Sequence, residues 1–238
     1  MLDIHTHILP GMDDGSKNAA QSIALLEREA AQGVHAVALT PHYLARKESP
    51  EHFLERRRLA EQELQAAIQG RTDLPALFAG AEVAYFEGIS RSESIELLCL
   101  GNTKALLVEM PFCKWSQRML RELQELLALR NIQPVIAHVE RYLSFQPSGM
   151  VQQLCENDML IQVNASSLFH RLFASQHARL ARLMLESELV DIVASDAHDV
   201  KSRSPQLLRA YRAVEKQYGA ARADRLFYET PQQLLAGE

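Results

Sequence analysis

Seven short, nearly continuously apolar segments recur along the chain, at residues 2–5, 34–40, 76–81, 104–108, 133–137, 159–163 and 189–194, with helical patterns between them. Strands buried on both faces read this way, and such strands belong to parallel sheets covered by helices. The helical stretches carry their own punctuation. Ser16 or Asn18 can cap the first, whose apolar face is Ile23, Leu26 and Ala30, and Gly33 is placed to end it. Ser49-Pro50 starts the second, which runs to about Gln69. Residues 89–98 read as a short helix, and Ser116 caps another that Asn131 ends. Helices are expected over 150–157 and 176–187, over a stretch opened by Ser204-Pro205 and closed by Gly219, and over about 222–228 before a tail. No linker, low-complexity stretch or charge block divides the 238 residues. The expectation is an α/β chain forming one domain, 1–238, as a distorted (β/α)7 TIM-like barrel. An open doubly wound sheet is the alternative, but the first strand lacks the glycine-rich phosphate loop of that architecture.

The residues just past each strand narrow the function. The first strand ends in His5-Thr6-His7, and residues i and i+2 of a strand point the same way. Pro10, Gly11 and Gly15 then turn the chain so that Asp13 and Asp14 return toward those imidazoles. The second strand is followed by His42, the third by Glu82, the fourth by Glu109, the fifth by His138, and the seventh by Asp196 and His198. In a parallel barrel these ends open on one face, where active sites form. Imidazole and carboxylate without sulfur suit zinc, manganese or iron. The donors exceed what one ion needs, and carboxylates such as Glu82 and Glu109 can bridge, so two or three divalent ions are implied. Adjacent ions generate hydroxide from bound water near neutral pH and hold the oxygens of an in-line displacement. Hydrolysis of a phosphate ester is the reaction most in need of that charge. Arg141 and Arg203 lie within a few residues of His138 and His198, and guanidinium groups grip phosphate oxygens bidentately.

Other signals exclude classes. With 25 basic against 30 acidic residues the net charge is −5, which argues against nucleic acid as a partner. Cys99, Cys113 and Cys155 have neither metal spacing nor an even-numbered framework, so a reduced, cytoplasmic chain is expected. The start does not read as a signal peptide, and no apolar run reaches the length of a membrane span. A thiol phosphatase needs Cys-x5-Arg, whereas Arg118 follows Cys113 one residue too closely. No Gly-x-Ser-x-Gly elbow is present. His35 precedes its strand and belongs at the opposite end. His52 and the run Arg56-Arg57-Arg58 read as solvated helix face. His170 and His177 read as loop residues near the mouth, and Glu140 as support for the site.

The combined motifs resemble a known family. They are Asp-Ile-His-Thr-His-Ile-Leu-Pro-Gly-Met-Asp-Asp-Gly (3–15), Thr-Pro-His (40–42), Gly-Ala-Glu (80–82), Val-Ile-Ala-His-Val-Glu-Arg-Tyr (135–142), Gln-Val-Asn-Ala-Ser-Ser (162–167) and Ala-Ser-Asp-Ala-His (194–198). Together they resemble the PHP superfamily and, within it, the tyrosine-protein phosphatases of bacterial capsule and exopolysaccharide loci, the CpsB/YwqE type. The resemblance implies a PHP-type barrel with a trinuclear centre, often manganese. It implies as substrate the phosphotyrosine tail of a membrane-associated bacterial tyrosine autokinase that regulates polysaccharide export. Position by position it points to His5, His7, Asp14, His42, Glu82, Glu109, His138, Asp196 and His198 as ligands, choosing Asp14 over Asp13, and to Arg141 and Arg203 as phosphate contacts. Glu109-Met110-Pro111 departs from the aromatic-rich versions associated with the family. The rival readings are a small-molecule phosphomonoesterase acting on a substrate such as histidinol phosphate, a metal-dependent amidohydrolase, and a non-catalytic binder of a kinase tail. Amidohydrolases commonly place a bridging lysine after the fourth strand, where this chain has Glu109.

Overall fold

The computed structural model describes residues 1–169 and 175–237. His170 lies outside them. Among the described residues the apolar segments form nine short strands, all in parallel register: β1 Leu2–Thr6, β2 Ala36–Leu39, β3 His42–Tyr43, β4 Ala76–Ala79, β5 Glu82–Ala84, β6 Ala105–Glu109, β7 Gln133–Ile136, β8 Leu160–Asn164 and β9 Ile192–Ala194. Two of the expected strands end early, and each is followed after a break by a second short strand. Residues 34–40 and the following His42 give β2 and β3, because Pro41 has no N–H to donate. Its carbonyl accepts from Glu82 N–H at 3.1 Å, and pairing resumes one strand pair further on. The expected strand 76–81 ends at Ala79 as β4, and β5 begins at Glu82, past Gly80. A Cβ at Gly80 would come within 2.8 Å of Leu100 Cδ2 and 3.3 Å of Thr40 Cγ2, so the strands approach as closely as they do only over a glycine.

The hydrogen-bonded order is β1-β2-β4 in one sheet and β3-β5-β6-β7-β8-β9 in the other. Past the end of β9 the chain returns to β1: Asp196 N–H donates to His5 O, and His7 N–H to Ala197 O, both at 2.9 Å. The result is a curled parallel sheet. Alternate strand residues feed two apolar clusters. Val37 and Leu39 join Leu25, Leu26, Leu64 and Leu123 of the covering helices. Ala36, Ala38, Leu2, Ile4, Leu107 and Val135 form the second cluster.

Eight α-helices among the described residues accompany the strands: α1 Ala19–Ala31, α2 Pro50–Ala67, α3 Gln117–Arg130, α4 Met150–Cys155, α5 Gln176–Glu186, α6 Leu207–Tyr218, α7 Ala220–Asp224 and α8 Thr230–Ala236. Asn18, Ser49 and Ser116 are the caps of α1, α2 and α3, each accepting a main-chain N–H through its side chain. Asn131 ends α3 at φ 52°. Residues 89–98 form two 3-10 turns, Ile89–Arg91 and Ile95–Leu98, since Ser92 turns extended between them. Ser204-Pro205 does not open α6. Gln32, at the end of α1, does the capping: its side-chain oxygen accepts from Leu208 N–H at 3.2 Å and its amide donates to Pro205 O. The chain after Tyr228 is helical too. α8 buries Leu234 and Leu235 in the second apolar cluster, which is the reason the tail is ordered. Arg56 and Arg57 are not a solvated face. Arg56 donates to Met12 O and Arg57 to Gly80 O, and only Arg58 stays on the surface with Glu55. A long apolar stem lets an arginine cross the helix in this way.

Candidate metal centre

All the donors named from the strand ends fall on one face. Among the described residues, four overlapping groups hold their donor atoms within 4.8 Å of one another: His7, Asp14, His42 and His198; His5, His7 and Asp196; His5, Glu82 and His138; and His42, Glu82 and Glu109. Glu82 is the hub. Its Oε2 lies 2.8 Å from His42 Nδ1 and 3.3 Å from both His5 Nε2 and His7 Nε2, while Oε1 lies 2.9 Å from His138 Nε2. Asp196 Oδ1 faces His5, His7 and His198 at 3.5–3.6 Å. Asp14, 63% exposed, faces His42 and His198 at 3.6 and 3.5 Å. Glu109 has the longest separations, 3.8 Å from His138 and 3.9 Å from His42.

The backbone is bent to achieve this. His138 has φ 33° and Asp196 φ 54°, left-handed conformations that non-glycine residues rarely adopt. Such strain concentrates where a side chain must be aimed. Gly15 supplies the other tight point: a Cβ there would collide with the carbonyl oxygen and Cβ of His7.

A layer of polar residues behind the donors sets their direction. Asp13 Oδ2 takes His7 Nδ1 at 2.7 Å and His42 N–H at 2.9 Å, while Asp13 Oδ1 accepts from Gly15 N–H. Asp13 therefore orients His7, and Asp14 faces the cluster. Gln162 Oε1 lies 3.1 Å from His5 Nδ1 and accepts His138 N–H at 2.9 Å. Tyr142 OH lies 2.9 Å from His138 Nδ1, and Asn164 Nδ2 donates to Asp196 Oδ2 at 2.8 Å. With Nδ1 engaged in this way, His5, His7 and His138 each turn Nε2 toward the cluster. Glu140 accepts from Asn164 N–H and Ser167 Oγ, so it does support the site. Sequence reasoning missed Asp13, Gln162, Asn164 and Tyr142 as orienting residues. Gln162 and Asn164 left a signal, two polar residues on one side of an otherwise apolar strand.

The electrostatics agree with the geometry. Burial pushes the carboxyls of Glu82 and Asp196 up, yet neighbouring imidazoles, His5 foremost, hold both well below their ordinary values. Burial lowers His7, but Asp13, Asp196 and Glu82 more than reverse it. His198 goes the other way, to about 4, through burial and the nearby His7 and Arg203. The residues fit bound metal on a further ground. Glu82 Oε2, His42 Nδ1 and His198 Nε2 are buried and make no hydrogen bond among the described residues, although their neighbours are close. Buried polar atoms are rarely left so, and converging lone pairs are what a cation satisfies.

Arg141 and Arg203 reach the same end by different routes. Arg203 grips both oxygens of Asp196, at 3.0 and 2.9 Å, and reaches Asp14 at 3.5 Å. Arg141 approaches Asp196 only to 3.9 Å and lies over the Phe112 ring at 5.1 Å. Between them a cavity of about 630 Å³ is lined by Glu140, Asn164, Ser167, Asp196 and His177, which sits in the first turn of α5. His35 is at the other end, 3.3 Å from the Met1 amino group, and His52 is exposed against Glu48. Cys99 is pushed up to about 12 and Cys155 to about 11 by burial, so neither is a thiolate at neutral pH.

The fold and the cluster define a parallel α/β protein with a histidine and carboxylate cluster able to hold metal. The chain belongs to the capsular polysaccharide synthesis family CpsB/CapC, whose pattern matches residues 1–236. It is 32% identical to the tyrosine-protein phosphatase CpsB of Streptococcus pneumoniae over 99% of this chain and 98% of that protein. It is 31% identical to the tyrosine-protein phosphatase YwqE of Bacillus subtilis, over 92% and 86%. A crystal structure from work on YwqE of B. subtilis and CpsB of S. pneumoniae, described as unique metal-dependent tyrosine phosphatases, superposes with a TM-score of 0.88. It has 29% identity and covers 100% of this chain and 95% of that one. Among the described residues no helix is long and apolar enough to cross a membrane.

Proposed function

We propose that this chain is a metal-dependent protein-tyrosine phosphatase, cleaving phosphotyrosine and water to tyrosine and inorganic phosphate. The observation that carries this reading is the convergence of nine imidazole and carboxylate side chains beside two arginines, in a chain whose full-length relatives bear that name. His5, His7, Asp14, His42, Glu82, Glu109, His138, Asp196 and His198 would hold two to three divalent ions, manganese first, with iron or zinc as substitutes. When bound, such ions supply Lewis-acid charge and a nucleophile from water near neutral pH. The chain's own residues do the rest. Asp13, Gln162, Tyr142 and Asn164 fix the donors, and Arg203 fixes Asp196. Arg141, whose approach to Asp196 stops at 3.9 Å, has donors to offer phosphoryl oxygens as the ester bond breaks. The sheet is read as a distorted (β/α)7 barrel of the PHP type, forming one domain. The substrate is the phosphotyrosine tail of a membrane-associated bacterial tyrosine kinase that controls capsule or exopolysaccharide synthesis, met in the cytoplasm. Nucleic acid has no part in it.

The test compares a phosphotyrosine peptide with histidinol phosphate, using protein of measured metal content. Exhaustive chelation should abolish turnover of the peptide, and manganese should restore it. Full activity in verified metal-free protein would sink the mechanism. Preference for histidinol phosphate would replace the substrate.

A further inference from the structure

Another, smaller cleft, which shares no lining residue with the cavity between the arginines, opens beside the cluster. It has a volume of about 270 Å³, and its walls include Leu44, Phe86, Met110 and Phe112, with Glu109 at its inner end. Glu109 also faces His42 and Glu82, so cleft and cluster are continuous. Phe112 is 47% exposed, an apolar ring held at the mouth where solvent would ordinarily favour a polar one. The loop that carries it is fixed. Trp115 Nε1 donates to Pro111 O at 3.0 Å, Trp115 N–H to Gln146 at 3.1 Å, and Gln146 donates back to Cys113 O at 2.7 Å. Phe112 is further seated against Tyr142, with ring centroids 5.0 Å apart, and Tyr142 meets His138. The Arg141 guanidinium lies on that same Phe112 ring. A phosphoryl group held between the cluster and Arg141 would thus lie beside the Phe112 ring.

We propose that this cleft seats the phenolic ring of the substrate, which makes Phe112 and Phe86 the residues that set preference for aryl over alkyl phosphates. The inference rests on the phosphatase reading above and adds its specificity. Space supports it, since roughly 150 Å³ of apolar cavity holds one benzene ring. Chemistry supports it too: two aromatic walls offer the offset or edge contacts a phenyl ring prefers. The aromatic walls come from the loops that follow two adjacent strands, Phe86 after β5 and Phe112 after β6.

The test uses wild type, Phe112→Ala, Phe112→Tyr and Phe86→Ala, each with measured metal content. Kinetics on matched phosphotyrosine and phosphoserine peptides give the aryl-to-alkyl ratio of kcat/KM. Calorimetry with phenylphosphonate and methylphosphonate gives binding without turnover. Phe112→Ala should lower the aryl preference roughly tenfold, the scale of one lost aromatic pair, chiefly through KM. Phenylphosphonate binding should weaken by a similar factor, and Phe112→Tyr should restore both. Phe86→Ala should act in the same direction. An unchanged ratio with unchanged phenylphosphonate affinity overturns the proposal, as does equal weakening of both phosphonates. If wild type turns over no aryl phosphate, the phosphatase reading fails by itself. The phosphonate comparison then still decides whether the cleft takes an aryl ring.

Discussion

Two clusters of buried carboxylates meet β1, and they ionise in opposite directions. Glu82 and Asp196 face His5 and His7, and both carboxyls are held well below the ordinary range despite burial. Asp3, two residues before His5 on the same side of the strand, faces Glu29 with both side chains fully buried. There burial raises the Asp3 carboxyl, and burial with the charge of Asp3 pushes Glu29 well up. The cation that acts against this at Glu29 is the Met1 amino group, itself lowered to about 6 by burial. Burial is thus the common term and the imidazoles are the difference. One end of the sheet is arranged to collect positive charge, and the other is arranged to keep a proton.

The largest effect expected from this contrast is at Glu82. Glu82→Gln should lose metal and drive phosphatase turnover to the floor of the assay, because four imidazoles lose their common partner. Glu29→Gln, an equally buried change, should keep both. Equal losses from the two, measured by metal analysis and steady-state kinetics, would erase the distinction between the ends.

The two arginines come next. Arg141→Ala should retain metal while kcat falls about 10²–10³-fold, the scale of one preorganised electrostatic contact. Arg141→Lys should recover only part of that, because an ammonium lacks the planar fork. Arg203→Ala should act differently, weakening metal retention through Asp196. If Arg141→Ala loses activity only by losing metal, its role as a phosphate contact is wrong. Behind the donors, Gln162→Leu frees His5 and the His138 main chain. A drop in metal affinity of roughly 10–100-fold is expected. A titration with manganese that matches wild type would show that packing alone orients His5.

The smallest effect concerns stability. Glu29 has a folded-state pKa above its unfolded value, so the folded protein keeps a proton that the unfolded chain releases. Stability then falls as pH rises from the ordinary glutamate value, about 4.3, toward the raised one. Glu29→Gln removes the part of that dependence that belongs to Glu29. Its Tm, relative to wild type, should rise between pH 5 and pH 8. For a chain of this size each kcal/mol is worth roughly 2–4 °C. A Tm difference that is flat across that range would mean that Glu29 is ionised in the folded protein.

Much of the site was legible because strand periodicity and strand ends are local properties. The alternation in Asp3-Ile4-His5-Thr6-His7 orients two imidazoles alike before any tertiary contact forms. An apolar run followed by a single His, Glu or Asp marks its own C-terminal end. The broken strands were less legible. Pro41 and Gly80 are visible in the sequence, but only the closeness of Leu100 and Thr40 to Gly80 turns a glycine into a strand break. The cap of α6 was illegible for the same kind of reason: Gln32 lies 176 residues before Leu208, whose N–H it accepts. Ser204-Pro205 looked sufficient only because the alternative was remote.

By itself the sequence determined the parallel α/β pattern, the strand ends that carry donors, and the chemistry of those donors, oxygen and nitrogen without sulfur. These depend on residue type and short-range spacing. Only the tertiary structure decided between Asp13 and Asp14 on geometric grounds, by putting the first behind His7 and the second before it. It likewise decided that Glu82 stands at the hub, that Arg203 grips Asp196 while Arg141 stands off from it, and that Phe112 sits at the mouth. Each of these depends on which distant strands become neighbours, and sequence spacing does not encode distance across a curled sheet.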